Sequence, residues 1–484
     1  MTGPYDLLVV GFSPVGAALA GLAARAGLRV IVVDRETGLF PLPRAAHLDH
    51  EILRIFQELG CADAVRPGLR ENIGMDFLSA DREVLLSFRS PGISANGWPA
   101  SVFFHQPLLD AAIRDAAITA GAEVRLGVGV SDLVDDHDGV RVTLDDGTVI
   151  DARFAVGCDG ARSTVRRLLG TTMDDLAFEE PWLVVDLLTD GPVPGLPELA
   201  LQVCDPARPH TLVPMPPPRF RFEFMLLPGE DAEAIQRPER VRELVATWVD
   251  PDRVEIERAA VYTFHGLIAH EWRAGRVLLA GDAAHQMPPF LGQGMCAGIR
   301  DAANLAWKLA EVIRRGAPGA LLDTYQAERE PHVRAIVEAA VGFGRLICTT
   351  DPEIAAARDA QLRAAPRTPG ETPAVSPPLG TGPGFTAGGG TPEPQPIVAG
   401  NRLDDLIGSR FAVITAAPVP TDDPDRAWWE PRATFLDAAA HPELAPLLAD
   451  APAVVVRPDR YRFGSGSLAE LTRGARALLT RPSS

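Results

Sequence analysis

The stretch GFSPVG, Gly11 to Gly16, carries the reading of the fold. It is one residue away from G-x-G-x-x-G, because Ser13 stands where the second glycine belongs. Before it, YDLLVV (Tyr5 to Val10) is a short apolar run with β-branched residues and reads as a buried strand. After it, PVGAALAGLAARAG has alanine and leucine at helical spacing and stops at Gly27. LRVIVVD then reads as a second strand closing on Asp34, near the roughly 20-residue offset at which a carboxylate holds a ribose hydroxyl. Strand, tight turn, helix, strand and acid make a dinucleotide site. Gly11 permits the turn, Gly16 lets helix and sheet approach, and the helix N-terminus offers N–H groups to a pyrophosphate. Ser13 has two readings. A positive φ would cost about 1–2 kcal/mol, whereas a negative φ would cost little and let the hydroxyl donate to a phosphate oxygen. A plain βαβ unit is the competing interpretation.

Composition narrows the function. A chain of 484 residues accommodates two or three domains with large cores. A net charge of −18 speaks against nucleic acid and anionic membrane as partners. Five scattered cysteines give no disulfide framework, which points to a reducing cytoplasm. The apolar run 7–33 is interrupted by Arg25 and Arg29 and lacks a basic leader, so it reads as soluble core.

Further along, HLDHEILRIFQELGCADAV (His47 to Val65) has helical periodicity and reads as a surface helix. FHQPLLDAAIRDAAITAG reads as a helix ending at Gly121, followed by strands broken at DHDG and DDG turns. WLVVDLLT, ALQVC, HTLVPMP, FRFEFMLL and AAVYTF suggest a mostly antiparallel second sheet. Residues 364–400 are rich in Pro, Gly and Thr, a linker or wrapping loop. FAVIT and AVVVRP then mark a small α/β module. No G-x-S-x-G, H-E-x-x-H or paired C-x-x-C occurs, and no metal site is expected.

The most specific signal is GDAAHQMPPFLGQGMCAGIRDAANLAWKL, Gly281 to Leu309. A strand ends at Gly281, and Asp282 at its tip is placed to bind a ribose or ribitol hydroxyl. Gly292 and Gly294 flank Gln293, so backbone can approach a flat ring system. The helix that follows points its N-terminal dipole at the same place and favours negative charge there. An ordinary loop–helix junction is the bland alternative.

GFSPVG…VVDR, FFHQPLL, VGCDGARSTVRR and this last motif, in that order, resemble the FAD-dependent aromatic hydroxylases, the p-hydroxybenzoate-hydroxylase-like single-component flavoprotein monooxygenases. PLPRAAHLDHEILRIFQELG, FRFEFMLLPGE and LLDTYQAEREPH look closest to the 3-(3-hydroxyphenyl)propionate hydroxylase branch. The resemblance implies an α/β Rossmann-like FAD-binding fold, an inserted α+β substrate domain with a mostly antiparallel sheet, and a short thioredoxin-like C-terminal module. The expected divisions are 1–175 and 269–363 for FAD, 176–268 for substrate, 364–400 as linker and 401–484 as tail.

Residue by residue, the resemblance places Gly11, Ser13, Gly16, Asp34 and Arg35 at the ADP half of FAD. It puts Arg44 near the pyrophosphate and the nicotinamide path, and Gln106 near the flavin. Asp159, Gly160 and Arg162 in CDGARS match a motif serving FAD and NAD(P)H. Asp282, Pro288, Gly292, Gly294, Met295 and Cys296 would frame the ribityl chain and isoalloxazine, with Cys296 where many relatives carry asparagine. The implied activity uses NAD(P)H and O₂ to hydroxylate a small phenolic substrate through a flavin C4a-hydroperoxide, the cofactor carrying the hard chemistry. Candidates to ionise the phenol are His47, Tyr262, His265 and His285, each with a structural hydrogen bond as its alternative. Met287 and Phe290 could line the pocket or pack. Arg219, Arg221 and Glu223 share one strand face, a salt-bridged surface by default and, for Arg221, a substrate-carboxylate site in the sharper reading. Two other functions stay open: a tailoring oxygenase (hydroxylation, epoxidation or Baeyer–Villiger) on a polyketide-type aromatic, and an FAD-binding protein without turnover. A homodimer is also left open.

Overall fold

The computed structural model describes residues 4–39, 44–136, 138–364, 377–380 and 382–480. Residues 41–43 of PLPRA, His137 of the DHDG turn and 365–376 of the expected linker lie outside the described residues.

Tyr5–Val10 is the central strand of a parallel sheet, with Val30–Asp34 and then Glu123–Leu126 on one side, and Val149–Gly157 followed by Val277–Leu279 on the other. Its inner strands Tyr5–Val10 and Val30–Asp34 are almost continuously apolar and buried, and they share one core with the Pro14–Arg25 helix and with Val140, Val142 and Leu144 of the Gly139–Leu144 strand. The Pro14–Arg25 helix packs on the sheet through Ala17, Ala18, Leu19 and Ala20, all fully buried. The Gly294–Arg315 helix crosses close to it: a Cβ on Gly298 would lie 2.5 Å from Val15.

A second sheet of eight strands lies against this layer. Its central ladder is antiparallel: Val254–Ala269, Met173–Thr189, Arg219–Met225, His210–Val213 and Ala200–Val203. Two further strands, Gly74–Leu78 and Val84–Arg89, extend it, the first pairing parallel with Ala200–Val203. Part of the segment before residue 175 thus belongs to the second sheet. The sheet has two unlike faces. Phe220, Phe222 and Phe224 enter a closed apolar core with Val241, Leu244 and Val245 of the Pro238–Val245 helix. Their strand neighbours Arg221, Glu223 and Met225 point the other way, toward the first sheet. His285–Gln286 adds a short edge strand paired with Leu267 and Ile268, so the loop after Asp282 is tied into the second sheet.

The tail forms a four-stranded mixed sheet of Ala433–Asp437, Phe411–Thr415, Ala453–Val456 and Arg462–Gly466. Residues 382–400 run along it, with Thr386 N donating to Phe463 O at 2.8 Å and Gly390 N to Arg462 O at 3.0 Å. The His50–Leu59 helix is not the surface helix its periodicity predicts; Glu51 and Arg54 are buried. Its polar face is covered by the tail. Arg54 makes a bidentate pair with Asp404 at 2.6 and 2.8 Å, Gln57 donates to Asp405, and Glu51 accepts from Tyr461. No helix among the described residues is long and apolar enough to cross a membrane.

Candidate active site

Gly11 has φ +98°, and a Cβ there would stand 2.6 Å from Cys158 O. A Cβ on Gly16 would stand 1.9 Å from Gly11 O. Both positions therefore exclude a side chain. Ser13 takes the inexpensive branch: φ is −69°, and it caps the Pro14–Arg25 helix by accepting from Gly16 N at 3.3 Å. Its hydroxyl proton goes to Cys158 O at 3.1 Å rather than standing free for a phosphate. The degraded motif thus keeps its turn and gains a cap.

Asp34 closes the loop from the far side. Its carboxylate accepts from Phe12 N at 2.6 Å and Glu36 N at 2.9 Å. Arg35 is exposed and pairs with Glu36. The second motif meets the first here, with Cys158 N donating to Val10 O. Asp159 caps the Thr164–Leu169 helix through Thr164 N and Val165 N. Gly160, at φ +80°, has nothing within 4 Å of where a Cβ would be, so it borders open space beside exposed Arg162. Arg166, four residues beyond Arg162, ties this motif to the third by donating to Ala161 O and Ala283 O. Sequence reasoning passed it over, although it lies within the quoted VGCDGARSTVRR.

The third motif completes the cleft. Asp282 sits on a one-turn 3-10 helix, Gly281–Ala283, and is exposed. Gln106 is buried and accepts from the backbone N–H groups of Arg44 and Ala45 at 2.7 and 2.8 Å, fixing the chain just after residue 43. Gly292 has φ +62° and lies against the His47 ring, which leaves 2.8 Å for a Cβ. His47 Nδ1 is 3.2 Å from Gly292 O and Nε2 2.7 Å from Ser101 Oγ. Burial lowers its pKa, so the ring is neutral near pH 7. The Gly294–Arg315 helix has no side-chain cap, leaving its first-turn amides at Gly294, Met295 and Cys296 for a ligand acceptor. Cys296 Sγ points inward, 3.7 Å from Gly292 O, and burial pushes the thiol far up. Pro288 is buried before the Pro289–Leu291 turn. Met287 and Met295 are half-buried.

Behind the loop lies a buried ionic frame that the motifs do not announce. Asp301 accepts from Gly281 N at 3.1 Å and Arg329 Nε at 2.9 Å, with His285 Nε2 at 2.6 Å. Burial raises its pKa, but His285 and Arg329 outweigh that and hold it below the ordinary carboxylate range. Arg300 lies between Asp49 and Glu51 and donates to Gln293 Oε1 at 3.0 Å. Through Glu51 and Tyr461, the tail therefore reaches the loop that carries Gly292 and Gly294.

The four catalytic candidates separate. The His285 ring is buried against Asp301 and Trp272, the structural hydrogen bond that stood as its alternative. His265 stands apart from Tyr262. It is an odd number of residues from Tyr262 on one uninterrupted ladder, so it lies on the opposite face of the strand. Tyr262 faces the first domain and accepts from Arg258 Nη1 at 3.0 Å. Phe290 packs edge-on against Phe178, Trp182 and Phe264 at 5.9, 5.5 and 6.4 Å. Arg221, read as a carboxylate ligand, is buried and already bidentate to Asp186, and it also donates to Arg44 O.

Three glycine-bearing turns, two uncapped or ligand-facing helix starts and an exposed aspartate converge on one cleft. They suit a long ligand with a diphosphate, a polyol and a flat ring, the parts of a flavin dinucleotide. The FAD binding domain family model matches residues 4–340. A Rhodococcus jostii protein described as a probable NADH-specific resorcinol 4-hydroxylase is 43% identical over 425 residues, 85% of this chain and 79% of its own. A 3-(3-hydroxy-phenyl)propionate/3-hydroxycinnamic acid hydroxylase of Mycolicibacterium smegmatis is 36% identical over 496 residues, 95% and 86% of the two chains. The solved aklavinone-11 hydroxylase shares the fold over 99% of this chain and 100% of its own, with TM-score 0.81 and 24% identity. The chain belongs to the FAD-binding-domain family, and it is an FAD-dependent aromatic hydroxylase.

Proposed function

We propose that this chain hydroxylates a small phenol with NADH and O₂, in a reducing cytoplasm where its five unpaired cysteines stay free. The observation that carries the reading is the facing of two surfaces. The Met287–Gly294 loop, set to lie along the flavin, stands directly against the Trp182, Phe264 and Tyr262 side of the second sheet. Phe290 of that loop packs edge-on against Phe178, Trp182 and Phe264, so loop and sheet meet in a four-ring cluster. We take a single-ring substrate over the larger polyketide-type aromatic of the alternative reading. The 43% relative named for NADH and resorcinol supports the same choice.

Bound FAD supplies electron transfer from the nicotinamide and activation of O₂. This chain's residues do the remaining work. Gly11, Gly16, Asp34, Gly160 and Asp282 hold the cofactor, and Gly292 to Cys296 present backbone to its ring. The aromatic wall excludes water. Tyr262 receives a hydrogen bond from Arg258 and keeps its own O–H to orient the phenol. The test is incubation of the FAD-loaded protein with resorcinol, NADH and O₂. The expected result is a product heavier by one oxygen atom, formed in step with NADH oxidation. NADH consumption yielding only peroxide would overturn the proposal.

A further inference from the structure

Away from the cleft, a cavity of about 460 Å³ opens where the tail meets the first domain. Its walls are the C-terminal halves of the Pro14–Arg25 and Gly294–Arg315 helices, residues 409–411 and Arg432. That volume falls within the range of small-molecule sites, about 300–1,000 Å³. Trp307, on this wall, lies about 20 Å along its helix from Gly294, at about 1.5 Å of rise per residue. The cavity is therefore well apart from the flavin-facing turn.

Its floor is apolar. Ala303, Ala306 and Ala310 recur at helical spacing along one face of the Gly294–Arg315 helix. Their methyl groups leave room that longer side chains would fill. Leu22 lines the same space, as do Trp307 and Phe411, whose rings meet edge to face at 5.5 Å.

The rim is basic, in a chain whose net charge is −18. Arg25, Arg314, Arg315, Arg410 and Arg432 line the cavity, against two carboxylates, Glu58 and Glu311. Among the described residues the ion pairs here are Arg315–Glu311 at 2.9 Å, Arg432–Glu311 at 3.9 Å and Arg460–Glu58 at 3.5 Å. Arg25, Arg314 and Arg410 keep charges that none of these pairs matches. Arg314 and Arg410 donate instead to backbone oxygens, Ala26 O at 2.9 Å and Glu430 O at 2.5 Å. The two helix ends at Arg25 and Arg315 each bring about half a negative charge, which leaves an excess of about two positive charges. A recess lined by one sign of charge concentrates ions of the other.

We infer that this cavity binds a small organic dianion, a dicarboxylate with an apolar carbon body. The body covers the alanine floor, and the planar guanidinium groups of the rim take the carboxylates, whose fork geometry they match. An inorganic polyanion meets the same charge but leaves the floor bare. A monocarboxylate covers the floor and leaves half of the excess charge unmatched.

The experiment is calorimetric titration of the FAD-loaded protein with phthalate, benzoate and inorganic pyrophosphate at one fixed ionic strength. Wild type is compared with the double variant Arg25→Ala/Arg410→Ala. Both side chains are exposed, and ellipticity and flavin content check that the variant is folded. Wild type is expected to bind one phthalate per chain, with benzoate and pyrophosphate each weaker by about tenfold or more, the worth of one charge-assisted hydrogen bond. The double variant should bind phthalate weaker by about tenfold or more, for the same reason, with its flavin spectrum unchanged. No phthalate binding to wild type overturns the inference. Pyrophosphate binding as tightly as phthalate overturns it too, since the rim is then a charged patch only. Unchanged phthalate affinity in the folded double variant also overturns it, because the dianion then sits elsewhere.

Discussion

Asp301→Ala is expected to destabilise the protein by about 3–5 kcal/mol, the cost of removing one partner from a buried ion pair. Asp301 is fully buried and serves three groups at once: the Gly281 amide, the His285 ring and the Arg329 guanidinium. Alanine would leave the Arg329 charge buried with only His332 Nδ1 and Ala297 O among its partners described here. It would also free Gly281, the residue before Asp282, so FAD affinity should fall along with stability. Asp301→Asn keeps the shape and an acceptor but not the charge, and should lie between. Thermal unfolding followed by ellipticity, with flavin content measured on the same samples, checks the order. Unfolding of Asp301→Ala at the wild-type temperature would show that the frame behind the flavin loop is not needed.

Gly16→Ala is expected to weaken FAD binding by at least about tenfold, equivalent to about 1.4 kcal/mol. Its Cβ would sit 1.9 Å from Gly11 O, backbone that cannot rotate away. The Pro14–Arg25 helix must then shift from the glycine turn, and with it the N–H groups aimed at the pyrophosphate. Ser13 loses its capping partner at the same time, because the Gly16 amide moves. Equilibrium dialysis of FAD against the apoprotein reads the loss. The helix is buried along Ala17 to Ala20, so the shift should also lower the unfolding temperature.

Local pattern made the Rossmann core legible. The strand, turn and helix around GFSPVG are set by residues near one another, so periodicity and glycine placement suffice. Ser13 was readable only as a choice between two φ values, and the backbone at −69° decides it. What escaped was non-local. Glu51, Arg54 and Gln57 recur at the spacing of a solvent-facing stripe, but their partners lie in the tail, 348 to 410 residues on. Gly74–Arg89 joins the second sheet through parallel pairing with Ala200–Val203, which no turn signal marks. Arg300 and Asp301 sit inside a quoted motif, yet a helical charge reveals nothing of its burial until the opposing elements are placed. One distinction was available and unused: Tyr262 and His265, three apart on a strand, cannot both face the substrate.

The most direct test of the account is a visible spectrum of the purified protein reconstituted with FAD, recorded before and after NADH is added without oxygen. The account predicts bound flavin bands that bleach on addition of NADH, since the three motifs form one working site with Ser13 as its helix cap. A protein that retains no flavin after reconstitution, or flavin bands that NADH leaves unchanged, would contradict it.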